Sequence, residues 1–250
     1  MKIAVRLATG LICTGLAFMA CNDSPTGPND LGGETNLELT TVGNRFSSYL
    51  ETGSDAPGLD GMKDSIVITR NDNGIVTTHA EITFDSLFVA ALDSALGTSA
   101  LPREIKLSIL DTYLKRYGAT LDTSDKQAMK AAFDLKMKVT SEGIQEFVSS
   151  KGDLSRPFTI VKYGASVGDK YEFTNSEGVK VTRAVTYKSV TDDYSILFWK
   201  IKIIEVEETS DDPLLEKMIY YTNHKFGLVG VVMRTKNGKE LKIGIIPPTL

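Results

Sequence analysis

The stretch Tyr194–Glu207, YSILFWKIKIIEVE, constrains the fold more than any other part of the chain. It is the longest apolar run after the first twenty residues and holds the only Trp, Trp199. It is too short to span a bilayer and too β-branched to favour a helix. Leu197, Trp199, Ile201 and Ile203 alternate with Phe198, Lys200 and Lys202, the period of two expected of a strand. The doublet Ile203-Ile204 then reverses the parity, which requires a β-bulge or a strand covered on both faces. The pattern predicts a long central strand, with the chain after about Phe158 paired around it.

Charge narrows the function classes. The 250-residue chain carries a formal net charge of -4. Residues 1–20 contain Lys2 and Arg6 and no acid, so the chain from Cys21 onward stands at -6. A nucleic-acid binder needs a basic surface to displace counterions, and this acidic balance argues against one. The same balance opposes adhesion to anionic lipid heads by charge alone.

The amino terminus has the layout of a secretory signal. Met1–Arg6 is basic, Leu7–Met19 is apolar and uncharged, and small Ala20 precedes Cys21. Ala17-Phe18-Met19-Ala20-Cys21 resembles the lipobox of bacterial lipoproteins. That resemblance implies removal of residues 1–20 as a signal peptide, a diacylglycerol on Cys21, and an acylated new amino terminus. It also implies a cell-envelope location, and Asn22 rather than Asp after the Cys implies the outer membrane. Phe18 and Met19 depart from the usual Leu and small residue. The other cysteine, Cys13, lies inside the discarded segment, so the body of the protein has neither free thiol nor disulfide. Several acyl chains hold a protein firmly where one is marginal.

Residues 22–33, NDSPTGPNDLGG, cannot bury enough surface to order themselves and read as a tether. Leu37–Leu50 is ambiguous, with Phe46, Tyr49 and Leu50 able to seat it on the domain, and Asp55–Gly61 is a loop. Residues 21–62 are therefore read as anchored tether and loop, and 63–250 as a single domain. Ser65–Thr69 and Ile75–Phe84 flank Asn71-Asp72-Asn73-Gly74, a hairpin signal. Three helices follow: Ser86–Leu96; a segment opened by Pro102 with a stripe of Ile105, Ile109, Leu110 and Leu114; and Ser124 to about Phe133, opened by a Ser-x-x-Gln capping box.

The second half is β-rich. Leu135, Met137 and Val139 alternate with lysines and a threonine. Val181, Val185 and Tyr187 share a face with Arg183. Glu205–Asp212 is an acidic loop. Asn237-Gly238 is a type I′ turn dipeptide, and a two-residue loop there sets Val232 opposite Ile243 and Gly230 opposite Ile245.

Few residues invite chemistry. Gly164-Ala165-Ser166-Val167-Gly168 matches G-x-S-x-G, the nucleophile elbow of α/β-hydrolases, and Ser166, Asp192 or Asp211, and His224 follow that family's chain order. The elbow needs a strand before the serine and a helix after it, whereas Lys170–Phe173 has strand character. Ser166 and His224 are thus the two weak catalytic candidates. His79 and His224 without a cysteine cannot close a zinc site, and the pairs Asp192/Asp193 and Asp211/Asp212 lack a calcium-ligand ladder. The expectation is no metal and no cofactor.

The sequence therefore predicts an α+β fold: a curved, mainly antiparallel sheet with two to three helices on one face. Such a shape is similar to the half-barrel with helices of lipoprotein carriers, an analogy of architecture only. It predicts a non-enzymatic, lipid-anchored envelope protein that binds an apolar ligand or an envelope partner, with Trp199 and Tyr187 as candidate ligand contacts. A Ser166 hydrolase and a structural scaffold are the alternatives.

Overall fold

The computed structural model describes residues 31–51, 57–58, 62–84, 100–116, 118–125, 129–213 and 215–248. The expected signal segment, Cys21, most of the expected tether and the expected helix at Ser86–Leu96 lie outside the described residues. A 3-10 turn at Glu38–Thr40 precedes strands β1 (Arg45–Glu51), β2 (Pro57–Gly58), β3 (Met62–Asp72) and β4 (Ile75–Phe84). Helix α1 (Arg103–Arg116) follows. Then come β5 (Thr120–Asp122), β6 (Met129–Thr140), β7 (Gly143–Glu146) and β8 (Phe158–Lys162). The chain continues with β9 (Lys170–Thr174), β10 (Lys180–Lys188), β11 (Tyr194–Ile196) and β12 (Trp199–Ile201). It ends with β13 (Ile204–Ser210), β14 (Leu215–Asn223), β15 (Gly227–Thr235) and β16 (Glu240–Ile246).

Fourteen strands form one antiparallel sheet, in the order β8-β7-β6-β4-β3-β1-β16-β15-β14-β13-β10-β9, with β2 and β5 beside β1 and β6. The sheet curls until its two ends meet. One core cluster draws Ile68, Val76, Val139, Ile144 and Val161 from one half and Tyr171, Val185, Ile204 and Val206 from the other. A curled sheet of this kind nearly abolishes its own edges.

The two openings are closed differently. At one, Leu107, Leu110 and Leu114 of α1 pack on Ile82, Met129 and Phe133 and on Met233, Leu241 and Ile243, bridging both halves. Ile105, expected on that stripe, is exposed. At the other lie the turns β3–β4, β6–β7 and β14–β15. Residues 31–44 run across this end: Leu31 is buried, Glu34 N–H donates to Ser141 Oγ at 2.9 Å, and Asn71 Nδ2 donates to Thr40.

Several expectations are corrected. The fold is mostly β, with one helix among the described residues, so α+β with two to three helices does not hold. Met129–Phe133, expected in a third helix, belongs to β6, and residues 126–128 lie outside the described residues. Met129, Ala131 and Phe133 continue the inward alternation of Leu135, Met137 and Val139, and ten residues of β6 pair with β4. Long-range pairing thus overrides a local helix signal. Arg45–Glu51, read with the tether, is a strand between β16 and β3.

The long central strand is also absent. Leu197 takes a left-handed backbone, φ 51°, and the stretch folds into the hairpin β11–β12 before β13 begins. The Ile203-Ile204 doublet marks the crossing between layers: Ile203 packs with the hairpin and Ile204 with the main core. Glu205–Ser210, expected as loop, belongs to β13 because its acids find partners. Glu207 meets Lys217 at 2.8 Å and Glu208 meets Arg183 at 2.6 Å.

The β15–β16 register differs by one residue from the expected one. Val232 faces Lys242 and Gly230 faces Gly244, because the loop holds three residues with Gly238 at φ 78°. A single-residue slip of this kind exchanges the faces. The two-residue Asn-Gly turn is instead Asn73-Gly74, at φ 50° and 86°.

Candidate functional site

Two places concentrate side chains whose setting is unusual for their type. The first is the seam where the sheet ends meet. Arg183 on β10 is buried between Val181 and Val185. Its Nε donates to Glu208 at 2.6 Å, and its Nη2 to Glu146 at 2.9 Å. Nη1 donates to the carbonyls of Thr159 at 2.9 Å and Phe158 at 3.3 Å, on the outer strand β8. The guanidinium also lies 4.8 Å from the Phe173 ring centre, and Phe173 stacks on Phe158 at 4.2 Å. Tyr220 Oη donates to Glu208 at 3.0 Å. Burial opposes the charge on Arg183, but the two carboxylates outweigh it and hold the proton more firmly than water would. This cation therefore joins β10, β13, β7 and β8 and stands in for backbone bonds that β8 and β9 do not make. The sequence placed Arg183 on the Val181/Val185 face but did not single it out. The available signal was a lone arginine at an inward position.

The second place is the excursion from Tyr187 to Ile203. Ser189 N–H donates to the Ile203 carbonyl at 2.8 Å, and Ile203 N–H donates back to Ser189 Oγ at 3.0 Å, which fixes the root. Ser189 Oγ and Tyr187 Oη both donate to Asp193. Those hydrogen bonds, Ser189's first, hold the Asp193 carboxyl below the usual range. The phenol of Tyr187 is pushed up, first by the same bond to Asp193. Above this brace, Ile196 and Ile201 bury themselves against Phe226, Val229, Tyr221 and Ile246. The Tyr194 ring lies tilted against Tyr221, centres 4.9 Å apart, with Lys242 Nζ 5.3 Å from the Tyr194 ring centre. The turn residues do the opposite. Phe198 is 98% exposed, Trp199 55% and Val190 84%. Leu197 is also exposed, and the flanking Lys200 and Lys202 stand in solvent.

The expected site residues fall as follows. Trp199 and Tyr187 are on this excursion, and both are exposed, at 55% and 42%. Ser166 lies in the exposed β8–β9 loop, where its N–H is held by Asp169 Oδ2 at 2.9 Å, and a strand follows it. The strand–serine–helix elbow is therefore not formed. His224 is on the exposed β14–β15 turn; β13 separates β14 from β10, whose Lys188 tethers the Ser166 loop. No hydrogen bond joins Ser166 to His224, Asp192 or Asp211. His224 lines an open cleft of about 180 Å³ with Leu37, Leu39, Lys225, Phe226 and Pro247. Asp212 is spent as an acceptor for Leu215 N–H at 2.9 Å. His79 pairs with Asp134 at 2.8 Å on the exposed face of β4 and β6. Cys21 lies outside the described residues. Among those residues, no cluster of His, Cys, Asp and Glu has metal-binding geometry, and no helix is long and apolar enough to cross a membrane.

Two solved structures resemble this chain. One is a protein provisionally described as exported, with a YmcC-like fold, from Bacteroides fragilis. It has a TM-score of 0.39 and 6% identity, over 84% of this chain and 95% of that one. The other is a provisionally described lipoprotein from Parabacteroides distasonis, with a TM-score of 0.37 and 9% identity, over 86% of this chain and 98% of that one. No protein-family model and no curated protein matches the sequence.

Proposed function

We propose that this protein is a lipid-anchored component of the bacterial cell envelope, held through Cys21 in the outer membrane, that acts by binding and not by catalysis. The observation that carries the binding half is the outward display of Leu197, Phe198 and Trp199 on a hairpin whose other apolar residues are packed. A soluble protein gains by covering such side chains, and a contiguous exposed apolar patch usually marks a contact surface. The anchoring half rests on the lipobox-like Ala17–Cys21 and on the tether that follows it.

The test has two arms. A labelled fatty acid should mark the wild-type protein and leave Cys21→Ala unmarked. Native mass spectrometry of the purified acylated protein should show a co-purifying lipid or subunit that is lost in Phe198→Ser. An unlabelled wild type would refute the anchor. Bare protein of monomer mass, unchanged by Phe198→Ser, would refute the binding role.

A further inference from the structure

We infer that the β11–β12 hairpin is a membrane contact: its tip, Leu197-Phe198-Trp199, enters the headgroup–acyl boundary of the bilayer that holds the anchor. This deepens the binding role proposed above by naming a lipid surface as the partner. The tip is convex, a two-residue turn between Ile196 and Trp199. A convex tip can wedge into a fluid surface but cannot enclose a small ligand. Its composition fits the same occupant. An aromatic pair and a leucine occupy the extremity, while Lys200 and Lys202 stand exposed behind them on the returning strand. Trp and Phe favour the interfacial zone, and lysines just behind them reach the phosphates. The net charge of -6 from Cys21 onward makes apolar insertion, not charge, the main attraction.

The position of the anchor supplies an independent argument. Ten residue steps lead from Cys21 to Leu31, which at full stretch span about 35 Å. Leu31 seats against the β6–β7 turn, where a Cβ on Gly143 would lie 3.1 Å from its side chain, and Gly32 N–H donates to Glu142. Glu142 accepts from Tyr163 N–H at 2.8 Å. The Tyr163 and Ala165 carbonyls accept from Lys188 Nζ at 3.0 and 2.7 Å. The next residue, Ser189, is the root of the hairpin. Tether and hairpin thus leave the sheet at the same end, away from α1. A body held by Cys21 at a membrane carries its aromatic tip within reach of that membrane.

Trp199 is the only tryptophan, so its fluorescence reports the tip directly. The acylated protein is reconstituted into phosphatidylcholine vesicles brominated in the acyl chains. Its emission should shift to the blue and be quenched by the bromines, and aqueous acrylamide should reach it less. In a second arm, the non-acylated Cys21→Ala chain is mixed with the same vesicles. It should partition weakly, and Phe198→Ser should lower that partition about tenfold or more. Because Phe198 is almost wholly in solvent, the variant should keep the wild-type far-ultraviolet dichroism. If Cys21 proves not to be acylated, the second arm still judges the hairpin. Emission unchanged by vesicles in both arms would overturn the inference. So would a blue shift that grows with protein concentration in the absence of lipid, which would make a second copy the partner.

Discussion

Two of the two-residue hairpin turns have the same length and opposite chemistry. Asn73-Gly74 joins β3 to β4 with both residues left-handed, φ 50° and 86°, and those residue types tolerate that backbone. Asn71 Oδ1 accepts from Gly74 N–H at 2.9 Å, and residues 35–40 pack over the turn. Leu197-Phe198 joins β11 to β12 with a leucine at φ 51°, where a branched side chain is strained by roughly 1–2 kcal/mol. It also leaves Phe198 in solvent. The first turn is optimised for folding. The second gives up local stability to hold bulky apolar groups outward, and strain of that kind accumulates at functional sites. Asn-Gly recurs at Asn237-Gly238, within a three-residue loop where Gly238 takes φ 78°.

The Arg183 seam is the interior counterpart of the first turn, and breaking it should have the largest effect. Arg183→Met leaves Glu146 and Glu208 buried beside an apolar chain and frees the β8 carbonyls. Removing one partner of a buried ion pair costs about 3–5 kcal/mol. Urea unfolding should show that loss, and Glu146→Gln with Glu208→Gln in the same chain should recover part of it. If a destabilised but folded Arg183→Met kept full vesicle contact, stability and surface display would be separate properties of the molecule. If contact fell in parallel with stability, the contrast between the two regions would fail.

Exchanging the turn chemistries sharpens the comparison. Placing Leu-Phe at 73–74 forces two bulky residues into the left-handed region, at about 2–4 kcal/mol. A Cβ at position 74 would in addition lie 2.8 Å from Thr35 Cγ2. The reverse change, Leu197→Asn, should stabilise the hairpin by up to about 1 kcal/mol while weakening vesicle contact. Opposite signs for stability and contact in that one variant are the signature of a turn selected for display. Hydrogen exchange at the β11–β12 amides and Trp199 quenching measure the two quantities. A Leu197→Asn chain that lost stability would remove the premise.

How much of this was legible in the sequence depends on the range of the interactions involved. The strands β9 and β10 and the second half of β6 were visible as alternations, because one face of each is turned to the core; β3 and β4 were visible as β-branched runs either side of a turn signal. Asn237-Gly238 correctly marked a turn, but dipeptide identity does not fix whether the loop takes two residues or three, so the register slipped. Met129–Phe133 satisfies both a capping box and a period of two; only pairing to β4 decides between them. Tyr194–Glu207 misled for a related reason. Its alternation is real in β11, β12 and β13, but one residue in a left-handed backbone divides the run, and Leu is the last type from which that conformation would be inferred. Trp199 was read as part of a central strand and as a candidate ligand contact. That it faces outward depends on where the hairpin lies, which is a tertiary fact. Arg183 was assigned to the right face, yet the acids that accept it, Glu146 and Glu208, lie 37 and 25 residues away and nothing local links them.

The smallest expected effect concerns the brace beneath the tip. Ser189 and Tyr187 both donate to the ionised Asp193, which lowers the carboxyl pKa in the folded protein. A lowered folded value means the brace contributes fully above the ordinary aspartate range, near pH 4, and is lost as pH falls through the folded value. Between about pH 5 and 8 the hairpin should therefore be insensitive to pH. Asp193→Asn accepts less well from two donors, so it should raise amide exchange in β11 and β12 across that whole range. Wild type should approach the variant only in stronger acid. The Asn73-Gly74 turn, which has no ionised acceptor of this kind, should show no such dependence. A pH response shared by both hairpins would mean that global acid unfolding, and not the Asp193 brace, governs the tip.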